Sequence, residues 1–132
     1  MHNMKIILVD AVNTFIIKDF VIFQEMYGLL EGYSNKKIIV TNANDEEIVK
    51  FGLNKVPYEV FTLKHKPEKT DSKYFRLLMR QYNLKVEDLV YFEHNQGAVE
   101  SARSLGIKTF HYNPEKRDLD ALKIFLDSSI NT

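Results

Sequence analysis

Five short apolar runs recur along the chain, each followed by a longer stretch of mixed character: Met4 to Val9, Lys37 to Val40, Val56 to Leu63, Leu89 to Phe92 and Ile107 to Tyr112. Apolar runs of about four to eight residues bounded by turn residues suit strands buried on both faces. Strands alternating with amphipathic stretches imply a parallel sheet joined by right-handed helical crossovers. Pro57 interrupts the third run, which predicts a short strand near an edge of the sheet.

The segments between the runs carry helix signals. Phe20 to Leu30 reads as one helix, its apolar positions broken only by Gln24 and Glu25, so that it is apolar around much of its circumference. Asn44 or Asp45 caps the next helix, with Glu46 and Glu47 in the first turn, where the helix dipole favours negative charge, and Phe51-Gly52 as a stop signal. Thr70 or Asp71 opens a helix through Leu77, Leu78 and Tyr82. Gly97 to Leu105 forms another, closed by Gly106, and Leu119, Leu122, Ile124, Phe125 and Leu126 mark a last one before a polar tail. The expected fold class is α/β, a Rossmann-like three-layer sandwich around a mainly parallel five-stranded sheet, with residues 1–132 as a single domain.

Composition narrows the function. At 132 residues and 45% hydrophobic content the chain can bury roughly 68% of its unfolded surface in one core. Eighteen basic side chains balance eighteen acidic ones, so no long-range field favours nucleic acid or an anionic membrane. The absence of cysteine excludes a disulfide framework, a thiolate metal site and a cysteine nucleophile. The apolar run after Lys5 is too short for a signal peptide, and nowhere do about 18 apolar residues run together. The expected compartment is the cytoplasm.

The first run ends on a carboxylate, Asp10, with Thr14 four residues later. Open α/β sheets bind ligands beyond the carboxyl ends of their strands. Other runs end in similar chemistry: Thr41-Asn42 after Ile38-Ile39-Val40, and Glu93-His94 after Val90-Tyr91-Phe92. Lys64, Lys66 and Lys69 cluster between them, where they also read as a solvated charge cluster beside Glu68. His2, His65 and His111 form no constellation. Ser34, Ser72, Ser101 and Ser104 lie in no nucleophile elbow, and the glycines form no phosphate-cradling run.

In their order these motifs resemble the haloacid dehalogenase (HAD) superfamily, over Met4 to about Tyr112. The resemblance implies Asp10 as nucleophile within a signature that includes Thr14, and Thr41 and Asn42 as the hydroxyl and amide that hold a phosphoryl group. It implies Lys66, or its rival Lys64, as the counter-charge. Magnesium would be held by Asp10, the residue at position 12, here Val12, and Glu93. The helix from Val99 to Ile107 is similar to the small-residue helix that follows the fourth signature.

The departures bear on activity. Superfamily phosphatases carry at position 12 the acid that protonates the leaving group, and Val12 cannot; such catalysis is worth about 10² to 10⁴ in rate. Glu93 and His94 followed by Ala98 stand where two aspartates, or an aspartate and an asparagine, are usual. The remaining magnesium site is weak, although one or two carboxylates with waters can hold the ion. Asn13 replaces the usual glycine, and asparagine enters left-handed backbone readily. Asp10-Ala11-Val12-Asn13-Thr14, with Asn95, also resembles the metal-independent dehalogenase branch, but only 26 residues separate Thr14 from Thr41, too few for that branch's helical cap.

The expectation is therefore a capless HAD-like domain related to phosphohydrolases, weakly active or inactive, retained for binding a ligand or a partner. The alternative is a magnesium-dependent phosphatase working through an aspartyl-phosphate on Asp10. A small phosphorylated ligand and a second copy of the chain are the expected partners.

Overall fold

The computed structural model describes residues 4–131; His2 lies outside them. Among the described residues seven strands follow one another: β1 (Ile6–Asp10), β2 (Ile16–Lys18), β3 (Val21–Ile22), β4 (Lys37–Thr41), β5 (Glu59–Thr62), β6 (Leu89–Glu93) and β7 (Lys108–His111). The five expected ones build the main sheet, in the order β5-β4-β1-β6-β7 and all parallel. The strand after Pro57 is indeed an edge.

Period-two alternation sends the side chains of each strand to opposite faces. Ile7, Val9, Ile39, Val90 and Phe92 pack on one face with Met26 and Leu30 of α1 (Gln24–Glu31) and Leu122 and Leu126 of α5 (Leu119–Ile130). Leu8, Ile38, Val40 and Tyr91 pack on the other with Tyr74, Phe75 and Leu78 of α3 (Lys73–Tyr82) and Ala102 of α4 (Gln96–Ser104). The short α2 (Asp45–Lys50) adds Ile48 to the first face. The result is the three-layer arrangement expected for strands apolar on both sides. Among the described residues no helix is long and apolar enough to cross a membrane.

One expected element is corrected. The stretch from Phe20 is not helical at its start: β2 and β3 form an antiparallel hairpin, and the helix begins only at Gln24. Asp19 takes a φ of +52° at the hairpin turn, and Phe23 N–H donates to the Phe15 carbonyl at 2.8 Å. Four β-branched residues, Ile16, Ile17, Val21 and Ile22, flank that turn and favour extended backbone. Phe20 is 68% exposed at the hairpin tip, with its Cβ over Gly52, so its apolarity does not mark a helix face.

Helix boundaries follow their caps. Asn44 accepts from Glu47 N–H while the Glu47 side chain accepts from Asn44 N–H, both at 3.0 Å, a reciprocal capping box. Asn95 caps α4 by accepting from Ala98 N–H at 3.0 Å.

Tyr74 fastens α3 to the strand ends beneath the cleft. Its buried hydroxyl accepts from Thr41 N–H at 3.0 Å and donates to the Phe61 carbonyl at 2.8 Å. Tyr74→Phe leaves that N–H without its partner, and we expect a loss of about 1–3 kcal/mol in denaturant unfolding. Unchanged stability would show that the hydroxyl carries nothing.

Candidate active site

Parallel register delivers the acids to one place. Val9 pairs with Phe92 and Asp10 with Val40. Asp10, Thr41 and Glu93, the last residues of β1, β4 and β6, therefore leave the sheet along one edge, where an open α/β sheet binds ligands. They line a cleft of about 380 Å³ together with Val12, Asn42, Lys69 and His94.

Beyond Asp10 the chain turns at once. Phe15 and Ile16 N–H donate to the carbonyls of Asp10 and Ala11 at 3.2 and 2.9 Å, and Asn13 sits at φ +69°, the left-handed step its residue type tolerates. This loop returns Thr14 to Asp10, and its hydroxyl donates to Asp10 Oδ2 at 2.6 Å. Thr14 is fully buried and does not line the cleft, so it braces the carboxylate instead of facing a ligand.

The lysine in the cleft is Lys69. Its ammonium lies 2.8 Å from Asp10 Oδ1, 2.7 Å from Glu93 Oε1 and 3.3 Å from the Val40 carbonyl, three acceptors for three donors. Lys66, expected in this role, is exposed and lies outside the cleft lining, and its rival Lys64 pairs with Asp45 at 3.0 Å. The reason is local: left-handed backbone at Lys64 and His65, with φ of +54° and +69°, turns the chain after β5 before Lys69 reaches the sheet edge. Asn42 fixes that return, its side-chain oxygen accepting from Lys69 N–H at 2.7 Å. Thr41 Oγ1 accepts from Ala43 N–H at 3.2 Å and so shapes the adjoining loop. A lysine shortly before a helix start was the sequence signal for Lys69, but three lysines within six positions made it ambiguous.

His94 is the other residue that sequence reasoning undervalued. Its Nδ1 and its backbone N–H, the latter at 3.1 Å, both meet Asp10 Oδ2. His111 Nε2 donates to the His94 carbonyl at 2.9 Å, which fixes the backbone there. On Glu93, Oε1 also accepts from the Tyr91 hydroxyl and Oε2 accepts from Asn95 N–H at 3.0 Å. All four oxygens of the two buried carboxylates thus have protein donors.

The electrostatics separate the two acids. Burial alone would raise the Asp10 carboxyl, but Lys69 and His94 hold it well below the usual carboxylate range. Burial, with the charge of Asp10 alongside, pushes Glu93 up to about 7 against the pull of Lys69. Burial opposes the charge on Lys69, yet Asp10 and Glu93 raise its pKa above the ordinary lysine value. Asp10 is the firm anion of the pair.

The chemistry of this donor set fits a weakly held hard cation. Asp10, Glu93 and His94 offer ligand atoms within 4.8 Å of one another, and two carboxylates are what magnesium commonly takes, completed by water. Lys69 and His94 engage the same oxygens, so a metal has to compete with them. Val12 offers no side-chain ligand; it has only its backbone carbonyl to contribute.

No known family profile matches the chain, and no curated protein matches it. Solved structures do. A HAD family enzyme from Bacteroides thetaiotaomicron, crystallised with magnesium and inorganic phosphate, superposes with a TM-score of 0.68 at 10% identity, over 85% of this chain and 96% of that one. A core domain from Streptococcus pneumoniae TIGR4, provisionally called a phosphoglycolate phosphatase, gives 0.63 at 15% identity over 94% and 96%. The N-terminal part of a Bacteroides fragilis protein containing a phosphatase domain, complexed with magnesium, gives 0.61 at 15% identity, over 92% of this chain and 40% of that one. The chain shares its fold with these HAD and phosphatase structures.

Proposed function

We propose, proceeding from the HAD-like fold, that this chain binds a small phosphorylated ligand at the Asp10 cleft and turns it over slowly. The observation that carries this reading is the Lys69 ammonium held between Asp10 and Glu93 at the sheet edge, with Val12 at the position of the usual proton donor. A carboxylate approaches a phosphoryl dianion only where cations and donors offset the repulsion. Lys69 supplies one such charge, and Thr41 and Asn42 line the same cleft with a hydroxyl and an amide.

In this reading Asp10 Oδ attacks phosphorus, the bond from phosphorus to the ester oxygen breaks, and the departing alkoxide needs a proton. Val12 has none to give. Water then cleaves the aspartyl-phosphate, returning Asp10 and releasing inorganic phosphate. Magnesium, held by Asp10 and Glu93 with a contribution from the Val12 carbonyl, would supply charge neutralisation on the phosphoryl oxygens. Activated esters, whose leaving groups need no proton, are the substrates expected to turn over.

Slow magnesium-dependent release from p-nitrophenyl phosphate that disappears in Asp10→Asn is the expected result. Calorimetry with inorganic phosphate and magnesium supplies the binding arm, and no detectable binding by the wild type would sink the reading. The second reading is ligand binding without turnover. It is favoured by the saturation of both Asp10 oxygens, and phosphate binding with equal background hydrolysis in wild type and Asp10→Asn would select it.

A further inference from the structure

His65, which showed no partners in the sequence, is the centre of a three-residue bridge at the rim of the same cleft. Its Nδ1 lies 2.6 Å from Glu68 Oε2 and its Nε2 2.5 Å from Glu47 Oε1. Glu47 Oε1 also accepts the capping bond from Asn44 N–H. The imidazole therefore ties the first turn of α2 to the loop that carries Lys69, and all three side chains line the cleft.

The bridge leaves a particular surface for a ligand. Both ring nitrogens of His65 are occupied, so it has no donor to offer an incoming anion. The bonds use one oxygen of each glutamate, and the side chains of Glu47 and Glu68 remain 35% and 49% exposed, so the second oxygen of each carboxylate is available as an acceptor. Lys64 is paired with Asp45 and Lys69 with Asp10 and Glu93, while Lys50 and Lys66 lie outside the cleft lining. Among the described residues no arginine lines the cleft; Phe51 and Ala43 supply its apolar wall. His65, donating from both ring nitrogens, is an imidazolium shared by Glu47 and Glu68, so these two carboxylates keep one negative charge between them, while Asp10 and Glu93 share the Lys69 ammonium and His94.

We propose that Glu47 and Glu68, clamped by His65, make the cleft selective for phosphomonoesters whose alcohol carries an ammonium group and against those whose alcohol carries a second anion. The inference rests on the phosphate-binding reading above. In either case the phosphoryl group takes the Asp10 end of the cleft, within the field of the Lys69 ammonium. An ammonium on the leaving group then finds two carboxylate oxygens for charge-assisted hydrogen bonds, whereas a carboxylate in the same place meets two carboxylates that share a single imidazolium.

Phosphoethanolamine and phosphoglycolate, of similar size and opposite charge at the far end, test this by calorimetry with magnesium present and inorganic phosphate as reference. At low ionic strength we expect phosphoethanolamine to bind about ten-fold more tightly, with the ratio shrinking as salt is added. In the double variant Glu47→Gln, Glu68→Gln the ratio should fall to within about two-fold, since the amide oxygen introduced at position 47 can still accept the capping bond of α2. Phosphate binding with equal affinity for the two esters, or a preference that survives the double variant, overturns the selectivity and leaves the phosphate-binding reading intact. Failure of inorganic phosphate and both esters to bind overturns both.

Discussion

Lys69→Met should lower the free energy of unfolding by about 3–5 kcal/mol at pH 7, because it strips the shared cation from two buried carboxylates. Asp10 and Glu93 are 1% and 0% exposed, so water cannot replace the ammonium. The pH dependence follows from the same charges. Glu93, already pushed up to about 7 with the lysine in place, holds its proton still more tightly in the folded variant without it, so the folded variant binds more protons than the unfolded chain and its deficit grows as pH rises above the ordinary carboxylate range. As pH falls through the ordinary carboxylate range, at about pH 4, Glu93 becomes protonated in both states and its share of the deficit disappears. Lys66→Met, on an exposed side chain outside the cleft, should stay within about 0.5 kcal/mol. Denaturant unfolding of the two variants at two pH values checks this, and a Lys69→Met loss no larger than that of Lys66→Met would mean that the ammonium does not hold the acids together.

Val12→Asp tests the proposed lack of a proton donor by supplying one. Val12 lines the cleft two residues beyond Asp10, and general acid catalysis contributes about 10² to 10⁴ in rate. The gain should depend on the leaving group. An alkyl phosphate, whose alkoxide must be protonated, should gain by that factor with magnesium present, while p-nitrophenyl phosphate, which leaves as a stable phenolate, should gain only a few-fold. Measurement of kcat/KM for both esters in both proteins separates the effects. Equal gains on both would show that the introduced carboxylate acts through metal affinity or charge and not as an acid, and no gain on the alkyl ester would remove Val12 from the proposed account of turnover.

The strands were legible because a buried parallel strand needs apolar side chains on both faces, and that demand writes continuous runs such as Ile6 to Val9 and Leu89 to Phe92 into the chain. Helix ends at Asn44 and Asn95 are set by caps that are local and use few residue types, so the first of them was legible for a similar reason. The segment from Phe20 was not. Its apolar residues serve a hairpin that leans on Gly52, a contact with a distant part of the chain, and periodicity within the segment does not record it.

Site residues divide along the same line. Asp10, Thr41, Asn42 and Glu93 sit at strand ends, and once the strands are parallel they must meet at one edge, so the sequence determined their convergence. Which lysine joins them depended on the path of a loop with two left-handed residues, and only the tertiary structure selected Lys69 over Lys66. The same holds for Thr14, which turned inward to brace Asp10, and for His65, whose partners Glu47 and Glu68 come from separate segments. Strand ends inherit their positions from hydrogen-bonded register, whereas loop side chains take theirs from whatever charge and packing surround them once the fold has closed.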